Sequence, residues 1–530
     1  MGLGSPRPSG GNSHPGEPGI GPDLGPPFTA PDETTRWLFS LNRMGIRPGL
    51  MRVQGLLEDL GHPERELRTL VSAGTNGKGS TTRALACLLQ AAGYKVATYT
   101  SPHLLNVHER ILIDDRPLDE EDFARRVDYI RPLVEKHEAS WFETLTALAV
   151  WISRDEGVDF LCCETGLGGR LDATNALPAV ATLLTTIDFD HQRILGNTLE
   201  EITTEKLGLL KRDVPLFCGV GSDLRPQVFR AAVTSGSPCH FLDELARWDQ
   251  ENFPSPDDRP EGTSDRDPKE HNHGWDLHLT DRRFTALPDP GTPALRRNTA
   301  LALLCLSRLE RNLSMSLLPE NPAAALGNLF LPGRYQTVLK NPDWIFDTAH
   351  NAQALSATLQ EFTAGRDAGD SAVKGRKFLV FGAMYDKDMP TGLADLVGDF
   401  DAILGIPVSL PRSRTHQELA ELLIAWELRP EAWPLDLDPA VSLEDLVPKD
   451  GAARCAVAPD QDQALAWLAA NLGSRDKVLV TGSCFTVAEI LSRLGFSDLE
   501  LTRRPVPFSE VIGTMIGPVG KFASKPKESS

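Results

Sequence analysis

Between Leu67 and His191, short apolar runs of strand length alternate with longer stretches whose apolar positions recur at helical spacing. The run LRTLVSA breaks into GTNGKGSTT, which predicts a strand ending near Ser72 and a helix starting near Ser80. Lys95 to Thr100 ends in Ser101-Pro102-His103. After a helix through TLTALAVWI, Val158 to Cys163 ends in Glu164 and TGLGGRLDATN, and Val180 to Ile187 ends in Asp188-Phe189-Asp190-His191. Strands alternating with helices predict a doubly wound parallel sheet, and such sheets bind ligands at the carboxyl ends of their strands. Lys78, Ser101, Glu164 and His191 are therefore expected along one edge.

The rest of the chain divides by the same criterion. Residues 1–31 are rich in Gly, Pro and Ser and are expected to form a disordered tail. Leu38, Leu41 and Met44, then Leu50, Val53, Leu56, Leu57 and Leu60, predict two helices separated by Pro48 and Gly49. They open an α/β unit over 32–318, interrupted by a polar, proline-rich loop at about 251–272 and ending after a helix through Leu295 to Leu309. Residues 319–328, with Pro319 and Pro322, read as a linker. A second alternation over 329–500 includes Trp344 to Phe346 ending in Asp347-Thr348-Ala349-His350-Asn351, then FLVF before GAMYDKD, AILGIP, CAVAP and VLVTGSCF. It predicts a second, smaller Rossmann-like α/β domain. Residues 501–530 read as a tail.

The chemistry concentrates at the first of these strand ends. Gly74, Gly77 and Gly79 let the backbone bend so that its N–H groups face one concave spot, and Lys78 adds a full positive charge. This is a phosphate cradle, although Gly79 separates Lys78 from Ser80 and so breaks the strict G-x-x-x-x-G-K-[ST] spacing. The alternative is a glycine-rich turn with a solvated lysine. A hard cation such as Mg²⁺ takes oxygen ligands, which Glu164, the Ser101 hydroxyl and a nucleotide could supply; a histidine is a less usual partner, which weakens His191. Alternatively Ser101 is a cap, Glu164 a surface carboxylate and His191 a satisfied core histidine. Lys206, beside Glu205 in NTLEEITTEKLGLLK, reads by default as part of a solvated helix face.

Composition narrows the function. The 530 residues are 41% hydrophobic and 24% charged, ordinary for a globular protein, and a formal charge of −19 argues against a nucleic-acid or anionic-membrane surface. An anionic substrate must then be held by local positive charge. The eight cysteines form no C-x-x-C pair, and Cys87, Cys162, Cys163 and Cys305 lie in apolar runs, as expected of buried thiols in a reducing compartment. With no apolar stretch of membrane-spanning length and no signal-peptide core, a cytoplasmic protein is expected.

From about Arg43 to Leu491 the motifs AGTNGKGST, TSPHL with NVHERI, WFETLTALA, ETGLGGRLDATN, DHQRILGNTLEEITTEKLG, LPGRYQ, DTAHN and FGAMYDKDM follow one another in order. In this the chain resembles the folylpolyglutamate synthase and dihydrofolate synthase family, within the Mur-type ATP-dependent amide ligases. The resemblance implies a P-loop α/β domain of the Mur central-domain type followed by the smaller ligase domain. Gly74, Thr75, Asn76, Gly77, Lys78, Gly79 and Ser80 would hold the ATP phosphates, and Ser101, Glu164 and His191 would hold two Mg²⁺ ions. Lys206, in EKLG, would be the lysine that the family carbamylates. Asn298, Arg334, Asp347 and His350 would contact the nucleotide; Gly49, Leu50, Phe142, Glu143, Leu171, Asp172 and Ala173 would line the pterin side.

Three positions depart from the family pattern: Leu295 stands for a glutamine, Thr348 for a glycine and Met51 for a glutamate. The implied reaction joins L-glutamate to a carboxylate of dihydropteroate or a folate through an acyl phosphate, with ATP as phosphoryl donor. Bifunctionality is the expectation, in a monomer with small-molecule partners only. A single activity, a cell-wall Mur ligase or an inactive nucleotide-binding protein are the alternatives.

Overall fold

A computed structural model describes residues 33–45, 47–248, 274–364, 375–387, 389–390, 393–431, 433 and 453–515. The expected tail at 1–31 and polar loop at 251–272 lie outside the described residues.

The first sheet contains β1 (Arg68–Ala73), β2 (Val96–Tyr99), β3 (Ile111–Ile113), β4 (Arg116–Pro117), β5 (Phe160–Glu164), β6 (Ala179–Leu184), β7 (Leu216–Cys218) and β8 (Cys239–Phe241). Their order is β4-β3-β2-β5-β1-β6-β7-β8, parallel except where β3 pairs with β2 and β4. Helices cover both faces, so the central strands are buried on both sides and mostly apolar rather than alternating. Leu70 points to the core it shares with Leu85, Leu88 and Leu301, from helices Lys78–Ala91 and Pro293–Leu313; Val71 points to the opposite core with Leu56, Leu145 and Ile152. Cys162 and Cys163 divide between the same two cores. No disulfide occurs among the described residues.

A hairpin sheet follows, with β9 (Ala246–Trp248), β10 (Trp275–Leu279) and β11 (Arg283–Leu287) in the order β11-β10-β9. The second large sheet comprises β12 (Gln336–Lys340), β13 (Asp343–Phe346), β14 (Lys377–Phe381), β15 (Ala402–Gly405), β16 (Arg454–Val457), β17 (Lys477–Thr481) and β18 (Val506–Pro507), ordered β16-β15-β14-β17-β13-β12-β18. Leu104 and Leu105, from the loop after β2, are buried in its core beside Phe346 and Phe485, so the two sheets share packing.

Two expectations change here. The stretch 319–328 is no free linker: it holds a short helix, Pro322–Leu326, whose Ala325 and Leu326 are buried in the core of the first sheet, because small residues let it sit close to helix Lys78–Ala91. The expected tail begins later than 501, since β18 pairs with β12 and Phe508 is buried in the second core, stacked 5.8 Å from Trp344.

Candidate active site

Register brings the chemistry together. Ser72 lies beside Glu164, Ala73 beside Leu184 and Tyr99 beside Cys163, so the carboxyl ends of β1, β2, β5 and β6 are level. The loop after β1 is pinned to the end of β6: the Thr75 N–H donates to the Thr186 carbonyl at 2.7 Å and Thr185 Oγ1 donates to the Asn76 carbonyl at 2.7 Å. The helix starts at Lys78, two residues earlier than expected, because Gly77 adopts the left-handed conformation (φ 87°) as its N-cap. Lys78 Nζ folds over the loop, 3.3 Å from the Gly74 carbonyl and 3.1 Å from that of Thr75.

Glu164 Oε1 accepts from the Ser101 N–H at 2.6 Å and the Ser101 hydroxyl at 3.0 Å. The other carboxylate oxygen faces Gly79, where a Cβ would lie 2.8 Å from it, so the acid comes right up to the start of the loop helix and a side chain there would push it back. Burial pushes the Glu164 carboxyl up, against the pull of Lys78, Ser101 and Arg334. His191, with φ 50°, is a half-buried rim residue whose Nε2 lies 3.3 Å from Lys387 Nζ, so the satisfied core histidine is ruled out. Lys387 crosses from the second sheet to Asp190 at 2.7 Å, and His350 Nε2 lies 3.7 Å from the same carboxylate. His350 Nδ1 donates to the Thr348 carbonyl at 2.9 Å, since a carbonyl can only accept. Burial would raise Asp190, but the nearby His350 and the charges of His191 and Lys387 hold it well below the usual carboxylate range.

Lys206 corrects the default reading. It is buried at 5% exposure and donates to the Gly74 carbonyl at 2.8 Å; Glu205 pairs instead with Arg170 at 3.0 Å. Burial, then the charge of Lys78, lowers the Lys206 amine to about 7, against Asp190 and Asp172.

From the second sheet, Asp347 Oδ1 accepts from the Ala349 N–H and the Thr358 hydroxyl while Oδ2 accepts from the Tyr335 N–H. Asn298 abuts the loop, 2.5 Å from where a Gly77 Cβ would sit. Asn76 donates to Gln353 Oε1 at 2.8 Å and accepts from Asn351 Nδ2 at 2.9 Å, which ties the loop directly to the second sheet.

These groups line one cavity of about 650 Å³, with Gly74 to Ser80, Ser101, Glu164, His191, Lys206, Asn298, Arg334, Asp347 and His350 on its walls. Its other end is formed by Trp141, Phe142, Leu171, Asp172 and Ala173. Phe142 packs on Gly166, where a Cβ would lie 2.5 Å from the ring. Gly49 and Leu50 are not on the wall, which Arg47 and Pro48 line instead; Leu50 is the N-cap of helix Met51–Asp59. Glu143 reaches the cavity but its carboxylate is engaged, capping helix Trp141–Asp155 through Ser140 and accepting from Arg52 Nε at 3.0 Å. Asp172 is engaged likewise by the N–H groups of Leu167 and Thr174.

Sequence reasoning missed Asp190, Lys387, Asn351 and Gln353. The first three lie in motifs already recognised, DHQ, DKDM and DTAHN, and the signal was a charged or amide side chain at a strand end. No three His, Cys, Asp or Glu side chains gather to enclose a metal among the described residues. The Ser101 and Glu164 oxygens suit a hard cation completed by phosphate oxygens and water.

A phosphate loop on one doubly wound sheet, closed by a second α/β unit across a shared cleft, defines a Mur-type ligase, and residues 333–484 match the family described as Mur ligase, glutamate ligase domain. The chain is 30% identical over 476 residues to the dihydrofolate synthase/folylpolyglutamate synthase of Bacillus subtilis, covering 88% of this chain and 100% of that one. Escherichia coli FolC in complex with DHPP and ADP aligns with a TM-score of 0.69 at 27% identity, covering 88% and 98%. A bifunctional folylpolyglutamate synthase/dihydrofolate synthase with Mn, AMPPNP and L-glutamate bound aligns with a TM-score of 0.68 at 28% identity, covering 89% and 100%. The chain belongs to the dihydrofolate synthase/folylpolyglutamate synthase family of ATP-dependent ligases. No helix among the described residues is long and apolar enough to cross a membrane.

Proposed function

We propose that this protein joins L-glutamate to a carboxylate of dihydropteroate and, in a second activity of the same cleft, to a reduced folate. The carrying observation is that one cavity runs from the glycine loop, past Ser101 and Glu164, to the aromatic wall at Trp141 and Phe142. A carboxylate does not condense with an amine at neutral pH, because oxide is a poor leaving group. Its oxygen therefore attacks the γ-phosphorus of ATP, expelling ADP. The glutamate amine, having shed its proton, then attacks the acyl carbon and phosphate departs with the C–O bond.

The loop Gly74 to Ser80 cradles the phosphates, with the N–H groups at the helix start, Gly77 to Ser80, donating to them, and Lys78 swings from its own loop carbonyls to the transferred group. Ser101, Glu164 and His191 are the residues that would hold Mg²⁺, which supplies charge neutralisation for phosphoryl transfer. Asn298, Arg334, Asp347 and His350 approach the nucleotide. Phe142, Leu171 and Ala173 receive the pterin ring, while Glu143 and Asp172 shape that wall from behind. Lys206, neutral in a substantial fraction near pH 7, can attack CO₂: a new N–C bond forms, a proton leaves and a carbamate remains.

The unit over 32–318 carries the nucleotide and 329–500 closes over it, excluding water from the acyl phosphate. We place it in the cytoplasm, where the free thiols buried among the described residues would stay reduced, and take it to act as a monomer. Paired assays test the reading: ATP, Mg²⁺ and L-glutamate with dihydropteroate, then with tetrahydrofolate. ADP release above background in both is expected; release in one alone refutes bifunctionality, and in neither refutes the ligase.

A further inference from the structure

Asn76 divides its hydrogen bonds between the two units of the protein. Its backbone is spent on the first: the N–H donates to Thr186 Oγ1 at 3.1 Å, and the carbonyl accepts from Thr185 Oγ1 at 2.7 Å and Thr186 Oγ1 at 3.1 Å. The residue is thus fixed to the end of β6. Its side chain is spent on the second: Nδ2 donates to Gln353 Oε1 at 2.8 Å and Asn351 Oδ1 at 3.3 Å, while Oδ1 accepts from Asn351 Nδ2 at 2.9 Å. A primary amide carries two N–H donors and one carbonyl, and both kinds are in use.

Asn351 is buried and anchored in turn, since its Oδ1 also accepts from the Ala354 N–H at 3.0 Å at the start of helix Ala352–Ala364. It closes the segment that brings Asp347 and His350 to the cavity wall. On the other side, Asn76 precedes Gly77, the N-cap of the helix that opens with Lys78. The amide contact therefore joins the starts of two helices and fixes how Lys78 and His350 stand relative to one another. Facing amides are suited to this, because a hydrogen bond weakens steeply once its angle falls below about 120°. A slip or tilt between the units breaks it.

We propose that Asn76 is a positioning residue: gripped by Asn351 and Gln353, it seats the second unit on the phosphate loop so that groups from both units meet the transferred phosphoryl group together. The inference rests on the ligase reading above, and one of its two tests uses no turnover. Gln353 is exposed, so Gln353→Leu deletes the acceptor with little cost to the fold. Losing a neutral hydrogen bond is worth roughly a factor of five. Hydrogen exchange on the full, nucleotide-free chain should then be more than threefold faster in peptides spanning 74–80 and 351–358, and unchanged in β15. In turnover, Asn76→Ala and Gln353→Leu should each lower kcat more than threefold. The double variant should stay within threefold of Asn76→Ala, because both changes remove one contact. Gln353→Glu keeps an oxygen at the same reach and should stay within threefold of wild type at saturating ATP. Unchanged exchange in both segments, a double variant more than threefold slower than Asn76→Ala, or a Glu variant as slow as the Leu variant overturns the inference and leaves the ligase reading standing. A wild-type chain without turnover refutes the ligase reading, and exchange still decides whether the grip forms.

Discussion

Replacing Gly77 by alanine tests whether the loop geometry described here is the one that binds nucleotide. Gly77 sits at φ 87°, where an L side chain costs about 1–2 kcal/mol. Its new Cβ would also lie 2.5 Å from Asn298 Oδ1, 2.8 Å from Nδ2 and 2.9 Å from Cγ, and Asn298 is buried with little room to withdraw. Forcing a methyl group into such a contact costs about 1–3 kcal/mol. Together the two effects come to about 2–5 kcal/mol, which is roughly 30-fold to several thousand-fold in binding. The strain is present before nucleotide arrives, so it should show as a lowered thermal midpoint, as weaker ADP binding in calorimetric titration with Mg²⁺, or as both, the two losses together reaching about 2 kcal/mol or more. Gly221→Ala is the matched control: its φ is −62° and nothing lies within 4 Å of the added carbon, so its effect should stay within about 0.5 kcal/mol. An unchanged midpoint and ADP affinity within threefold of wild type in Gly77→Ala would refute the reasoning.

Lys387→Met removes the cation that reaches Asp190 from the second sheet; losing a hydrogen bond between charged groups this well buried costs about 1.5–3 kcal/mol, so kcat/KM should fall roughly 10- to 100-fold, and wild-type kinetics would show the contact to be incidental. For Lys206, the folded amine titrates near 7, below its unfolded value of 10.5. Between those values the unfolded chain holds a proton that the folded chain does not, so this group's contribution to stability rises with pH from 7 to 10.5 and is least below 7. About half of the amines are neutral at pH 7 and roughly nine-tenths at pH 8. Native mass spectrometry in bicarbonate should accordingly show a CO₂ adduct that grows from pH 6 to pH 8 and is absent in Lys206→Arg; an adduct of the same size in the variant places the modification elsewhere.

The strand-then-polar alternation, with glycines and one lysine after the first strand, determined by itself that two doubly wound sheets would form and that their strand ends would carry the chemistry. Residue type suffices for this, since apolar runs must be covered on both faces and the polar residues that follow them emerge at an edge. Four outcomes needed the tertiary structure. Lys206 is indistinguishable in sequence from its neighbour Glu205, and it is buried because its helix packs closely on Gly169 and its amine meets the Gly74 carbonyl. Glu143 and Asp172 read as free carboxylates until local N–H groups are seen to occupy them. The Lys387 to Asp190 contact joins positions 197 residues apart, and the Asn76 to Asn351 contact 275. Periodicity reports how a residue faces its own element; which charges meet across a cleft depends on how two independently formed sheets dock, and no local pattern encodes that.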